Sequence, residues 1–166
     1  MTEYQIRPLE REDREWVAHF LDDHWGTTQI VSRGKAVYGH LLPGFVAQAV
    51  EPAEGEKPYL GLLTYNRIEK ECEVMTLDSL VKKEGIASAL VDAFKSNMKE
   101  AGCKRLWLIT TNDNLDALRF WQKRGFELVS VHRNAINEAR RIKPQIPILG
   151  YYGIPIRDEI ELELTF

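Results

Sequence analysis

The sequence predicts a mixed α/β domain, a mixed sheet with helices on its faces, and three observations carry that expectation. Segments that alternate apolar and polar residues, most strictly IRDEIELELTF near the C-terminus, read as strands. Runs with apolar residues three and four apart, most clearly after Gly85, read as helices. The two kinds interleave along 166 residues, 44% of them hydrophobic, with no repeat, low-complexity tract or long linker. The expectation is therefore one domain spanning 1–166.

In order, TEYQIRPL alternates like a short strand, and EREDREWVAHFLDDHW places Trp16, Phe20 and Leu21 near helical spacing with acids in the first turn. Residues 26–42 carry three glycines and no clean period, and read as a mobile substrate loop. PGFVAQAV and YLGLLTYNRI read as strands joined by the turn-rich EPAEGEKP. CEVMTLDSLV is a further strand, entered through the charged Glu69, Lys70 and Glu71. From Gly85 the residues Ile86, Ala89, Leu90, Ala93, Phe94 and Met98 define a helix to about Ala101, with Gly102 as its terminator. RLWLITT reads as a buried strand, NLDALRFWQKRG as a helix and FELVSVH as a strand. Residues 134–155 read as a long connection. In the last strand Ile160, Leu162 and Leu164 share one face, and Glu159, Glu161 and Glu163 share the other.

Composition narrows the function classes. A net charge of −3 and pI near 5.9 give no general attraction to nucleic acid or an anionic membrane. No run of about 18 apolar residues is present for a membrane span, and MTEYQIRPLEREDREW is too charged for a secretory signal. A cytoplasmic protein is expected. Cys72 and Cys103 lack Cys-x-x-Cys or histidine spacing, so buried free thiols are the better reading and no metal is expected.

KKEGIASALV, residues 82–91, sits where a strand hands over to a helix. A glycine there lets the chain turn tightly, and the unpaired N–H groups of the first helical turn converge where an anion can bind. Ala87, Ser88 and Ala89 allow close approach, Lys82 and Lys83 supply positive charge, and Glu84 opposes it. The plainer reading, an ordinary helix start, holds at least half the weight on this segment alone. Neither nucleotide-binding glycine pattern is present. Asn114, at the start of NLDALRFW, suits a helix N-cap.

Two segments together are more specific. Lys82-x-x-Gly85-x-Ala87 resembles the acyl-CoA pyrophosphate motif of the GNAT N-acetyltransferase superfamily, and Asn114-x-x-Ala117-x-x-Phe120-Trp121-x-x-x-Gly125-Phe126 resembles its second motif. They lie some 30 residues apart with a strand between them. The element order resembles the superfamily's over nearly the whole chain, and KPQIPILGYYGIPIRDEIELEL resembles the tail of a bacterial subgroup.

The resemblance implies a mostly antiparallel central sheet that splays into a CoA-binding wedge. It implies acetyl-CoA as co-substrate, with pantetheine along Leu77, Asp78 and Ser79. The pyrophosphate would lie on the loop of Lys82, Lys83, Glu84, Gly85, Ile86 and Ala87, beside Ser88. A backbone N–H near Leu77 would polarise the thioester carbonyl. Asn114 would meet the pantetheine arm, and Phe120 and Trp121 would line the CoA side. Trp121 stands where many members carry a tyrosine that protonates the leaving thiolate, and an indole N–H is far too weak an acid for that role. Water or another tyrosine is the expected substitute; a thiol pKa near 8.5 makes the demand small.

Glu71, at a spacing similar to that of the catalytic glutamate of histone acetyltransferases, is the expected base, sharing a face with Glu73, Met75 and Leu77 if the strand is regular. A solvated charge is the plainer reading. Among histidines 19, 24, 40 and 132, His40 is the next choice. Three functions follow: acetyl transfer to an amine of a small molecule or peptide, a CoA-binding sensor or catalytically weak relative, and an assembly protein whose sheet edge and tail form a homodimer.

Overall fold

A computed structural model describes residues 3–55, 58–82 and 85–166. Along the chain it contains β1 (Tyr4–Pro8), α1 (Arg14–Trp25), β2 (Gln29–Ser32), β3 (Lys35–Tyr38), β4 (Gly44–Ala49), β5 (Tyr59–Ile68) and β6 (Glu71–Ser79). There follow α2 (Ile86–Glu100), β7 (Arg105–Thr111), α3 (Leu115–Lys123), β8 (Glu127–His132), α4 (Ala135–Ile142) and β9 (Glu159–Thr165). Seven strands form one sheet in the order β1-β4-β5-β6-β7-β9-β8, and β2 and β3 pair separately. Within the large sheet only β6 and β7 run parallel. The mixed, mostly antiparallel sheet with flanking helices is the architecture expected from sequence.

Alternation along the strands divides burial between two faces. On one, Leu90, Val91, Phe94 and Met98 of α2 meet Leu63, Cys72, Val74 and Leu106, and Trp121 and Phe126 extend the same core under α3. On the other, Val17, Phe20 and Leu21 of α1 close over Leu62. An ion pair fastens the start of α1: Arg7 donates to both carboxylate oxygens of Asp13 at 2.7 and 2.8 Å, and Tyr59 adds a hydrogen bond at 3.0 Å. Cys72 and Cys103 are buried side by side as free thiols, and the Cys72 thiol is pushed up to about 12, chiefly by burial.

Two local expectations need correction. The segment 26–42 is not a loop but the hairpin β2–β3, turned by Arg33 (φ 50°) and Gly34 (φ 74°). Four-residue strands are too short to display a period. Residues 134–155 contain α4, two turns long, whose Ile136 and Ala139 are buried. The acidic face of β9 is answered by arginines: Glu159 is buried against Arg33 at 2.9 Å, and the half-buried Glu161 and Glu163 share the Arg105 guanidinium.

Among the described residues, no helix is long and apolar enough to cross a membrane, and no cluster of three or more histidines, cysteines or acids is grouped to hold a metal.

Candidate functional site

The parallel ladder between β6 and β7 covers only Glu71 to Val74 against Arg105 to Leu108. Beyond that point β7 stays with β9 while β6 stays with β5, so the two strands part. The β7-facing backbone groups of β6 from Met75 onward have no strand partner, and a buried strand edge leaves such groups available to a ligand. A cavity of about 430 Å³ fills the gap, with Leu77, Asp78, Ala87, Asn114, Phe120 and Trp121 in its wall.

One end of the cavity faces α2. Gly85 takes φ 71° at the N-cap, a left-handed conformation that glycine adopts without a Cβ penalty. Among the described residues no side chain caps this helix and no acid lies in its first turn, so its leading N–H groups and dipole face outward where an anion can bind. Ile86 points into the core, contributing backbone alone, whereas Ala87 lines the cavity. Ser88 accepts from the Arg124 guanidinium, which lies 3.5 Å from the centre of the Phe120 ring. Lys82 is exposed in the turn, and Ser79 donates to the Val81 carbonyl at 2.7 Å. Lys83 and Glu84 lie outside the described residues.

α3 supplies the opposite wall. The Asn114 side chain accepts from the Ala117 N–H at 3.2 Å, and capping the helix leaves the residue in the cavity wall. Trp121 is buried, edge-on to Phe120 and Phe126 with ring centres 5.2 and 5.0 Å away.

The register of β6 decides which carboxylates enter the site. Pairing with β5 shifts between Thr64 and Tyr65, leaving Met75 as an extra residue. Before this bulge Glu73 faces the β2–β3 hairpin. After it Asp78 occupies that face, and Leu77 packs against the α2 core. The expected single face of Glu71, Glu73, Met75 and Leu77 is thus broken, because a bulge reverses strand parity.

Glu71 begins the strand, exposed and 3.3 Å from Arg105, and lines neither cavity of the site. Glu73, two residues on, is brought inside. Ser32 donates to it at 2.5 Å, yet burial pushes it up to about 7, helped by Glu159 and Glu161. It lines a second cavity, of about 290 Å³, which shares Trp25, Met75, Ile109, Asn114 and Tyr151 with the wedge. Asp78 is also pushed up, to about 6, by burial, although the Trp25 indole donates to it at 3.2 Å.

Sequence reasoning did not select Trp25, Tyr151 or Arg124. No motif distinguishes Trp25, and Tyr151 lies in the C-terminal segment that resembles a bacterial subgroup's tail, a signal that marks the segment but not the residue. Tyr151 is placed when its N–H donates to Asp113 at 2.9 Å; a Cβ on Gly150 would lie 1.9 Å from the same carboxylate, so only glycine lets the loop approach. His40 lines neither cavity.

Comparison with known proteins agrees with this fold. The model of the Acetyltransferase (GNAT) family matches residues 43–126, from the start of β4 through the end of α3. The uncharacterised Bacillus subtilis protein YdhI is 40% identical over 155 residues, 93% of this chain and 94% of that protein. Among solved structures, a Bacillus subtilis acetyltransferase in complex with CoA superposes with a TM-score of 0.68 at 16% identity, covering 99% of each chain. A GNAT family acetyltransferase from Elizabethkingia anophelis with acetyl-CoA bound gives 0.65 at 16% identity over 98% of each chain. At such identities the structural likeness is one of fold.

Proposed function

This chain belongs to the GNAT family of acetyltransferases, and on that premise we propose that it transfers an acetyl group from acetyl-CoA to a primary amine by direct attack. The observation that carries the reading is the meeting of two cavities at the β6–β7 gap, one reaching the N-terminus of α2 and the other holding the half-buried Glu73 carboxyl. The residues present fit acetyl-CoA: an unpaired strand edge for the amide-rich arm, the N–H donors at the start of α2 for the pyrophosphate, and small Ala87 between them.

Acetyl-CoA supplies an activated thioester. The chain's own groups do the rest. Backbone N–H groups at the Met75 bulge and Leu77 donate to the carbonyl oxygen as negative charge develops there. Glu73, rather than Glu71, takes the proton from the attacking nitrogen, directly or through one water; its pKa near 7 suits a general base at neutral pH. A carbon–nitrogen bond forms, the carbon–sulfur bond breaks, and the sulfur receives a proton. Trp121 is packed and has no acidic hydrogen to give, so Tyr151, a tyrosine in the wall of both cavities, is assigned that donation.

Calorimetry with acetyl-CoA, followed by CoA release in the presence of amines, tests the reading. Heat of binding together with amine-dependent, sustained CoA release supports transfer. Binding without amine-dependent release favours the CoA-sensor alternative, which the tryptophan at position 121 keeps in play.

A further inference from the structure

The second cavity has a composition that selects among amines. At about 290 Å³ it is at the small end for ligand sites, with room for on the order of ten non-hydrogen atoms. Ile30, Val31, Ile109, Ile136, Ala139 and Ile156 give its wall an apolar character. Glu73 sits among them with Ser32 as its hydrogen-bond partner and no ion pair among the described residues, whereas the charge of neighbouring Glu159 is answered by Arg33. Whenever Glu73 is ionised its charge is negative and has no ion-pair partner among the described residues, which attracts an ammonium and repels a carboxylate.

The roof over this cavity is built into the fold. Arg140 of α4 donates to the Pro147 and Ile156 carbonyls, both at 2.8 Å, and Asp113 holds Tyr151. These bonds tie the segment carrying Ile146, Tyr151 and Ile156 across the cavity, where an extended peptide would have to pass.

We propose that the acceptor is a compact apolar primary amine without a carboxylate, an arylalkyl or branched alkyl amine. The proposal rests on the acetyl-transfer reading and narrows it. Amino acids bring a carboxylate against Glu73, spermidine places further ammonium groups against isoleucine, and a peptide N-terminus would have to lead its chain out past the segment carrying Ile146, Tyr151 and Ile156.

The test is CoA release by the purified chain with acetyl-CoA and phenethylamine, 3-methylbutylamine, phenylalanine, a tripeptide or spermidine. The expected result is that phenethylamine or 3-methylbutylamine exceeds phenylalanine, the tripeptide and spermidine by at least about tenfold in kcat/KM. Equal or better turnover of any of those three overturns the proposal while leaving acetyl transfer intact. Release unaffected by every amine, with acetyl-CoA bound, removes the transfer reading and this proposal with it.

Ile146→Trp provides a second readout because Ile146 lies on the half-exposed roof segment, where a larger side chain fills cavity space without entering the main core. It should raise KM for phenethylamine at least about tenfold while acetyl-CoA affinity is retained. Wild-type KM in this variant would show that the amine binds elsewhere.

Discussion

Glu73→Gln separates the electrostatic environment of the site from its shape. A carboxyl held at about 7 instead of 4.5 keeps its proton in the folded state over a range where the unfolded chain has released it. Stability present below pH 4.5 is therefore lost as pH rises through about 7, a full cost of ~3 kcal/mol. Burial is the main cause. Glu159 and Glu161 on β9 push the same way, and Ser32 on β2 and Lys35 on β3 oppose.

The amide keeps the volume and can still accept from Ser32, but its NH₂ group gains no evident partner, a cost of ~1 kcal/mol. The net expectation is a gain of about 2 kcal/mol at pH 8 and almost none at pH 5, where the carboxyl is largely protonated in the folded state. For a chain of this size the gain is a rise in Tm of roughly 4–8 °C at pH 8. Thermal melts of both proteins at the two pH values, without ligand, measure it. Equal Tm shifts at pH 5 and 8, or a loss at pH 8, would refute the idea that Glu73 is held protonated by its surroundings. In turnover, wild-type kcat/KM should rise as pH passes about 7. The variant should lose that rise and on the order of a hundredfold in rate.

Glu71→Gln, at an exposed strand end, should change kcat/KM less than about threefold across pH 6 to 9, since it removes only a surface ion pair; a hundredfold loss would restore Glu71 as the base. Gly85→Asp meets no atom within 4 Å but puts negative charge at the start of α2 and strains a left-handed position. Acetyl-CoA affinity by calorimetry should fall at least about tenfold, and an unchanged Kd would reduce the segment to a helix start. Trp121→Phe should lower Tm through lost packing and turnover by less than about tenfold, whereas Tyr151→Phe should cost about tenfold or more; the reverse order would return the proton donor to position 121. Asp13→Asn leaves Arg7 without its carboxylate and should cost roughly 2–3 kcal/mol at pH 7. Asp13 is held down to about 2, chiefly by Arg7, so its stabilisation is present above the ordinary carboxylate pKa and fades as pH falls toward 2. A Tm gap that stays constant from pH 7 to 3 would exclude this ion pair as the cause.

Elements longer than about two periods were readable because periodicity records which side of a segment is buried. The spacing from Ile86 to Met98 located α2, and RLWLITT located β7 to the residue. The hairpin β2–β3 and the helix α4 escaped because four and eight residues give too few repeats, and because their burial comes from each other and from β6. The candidate cofactor loop was likewise visible as Gly85 between a strand and a helix. Glu73 was visible only as one of several acids.

The amino-acid sequence by itself determined the domain class, the order of its principal elements and the two motifs that face the wedge, since each depends on neighbours within a few turns of chain. Tertiary structure alone decided that β9 enters between β7 and β8, holding β7 away from β6 where the wedge opens. It decided, through an extra residue at Met75 paired against a strand ten residues earlier, that Asp78 rather than Leu77 shares the face of Glu73. It also decided which acid is removed from water: Glu71 and Glu73 are two residues apart and chemically alike, but the hairpin and β9 cover only the second. Local pattern records side-chain alternation, whereas desolvation depends on what distant segments lay over a residue.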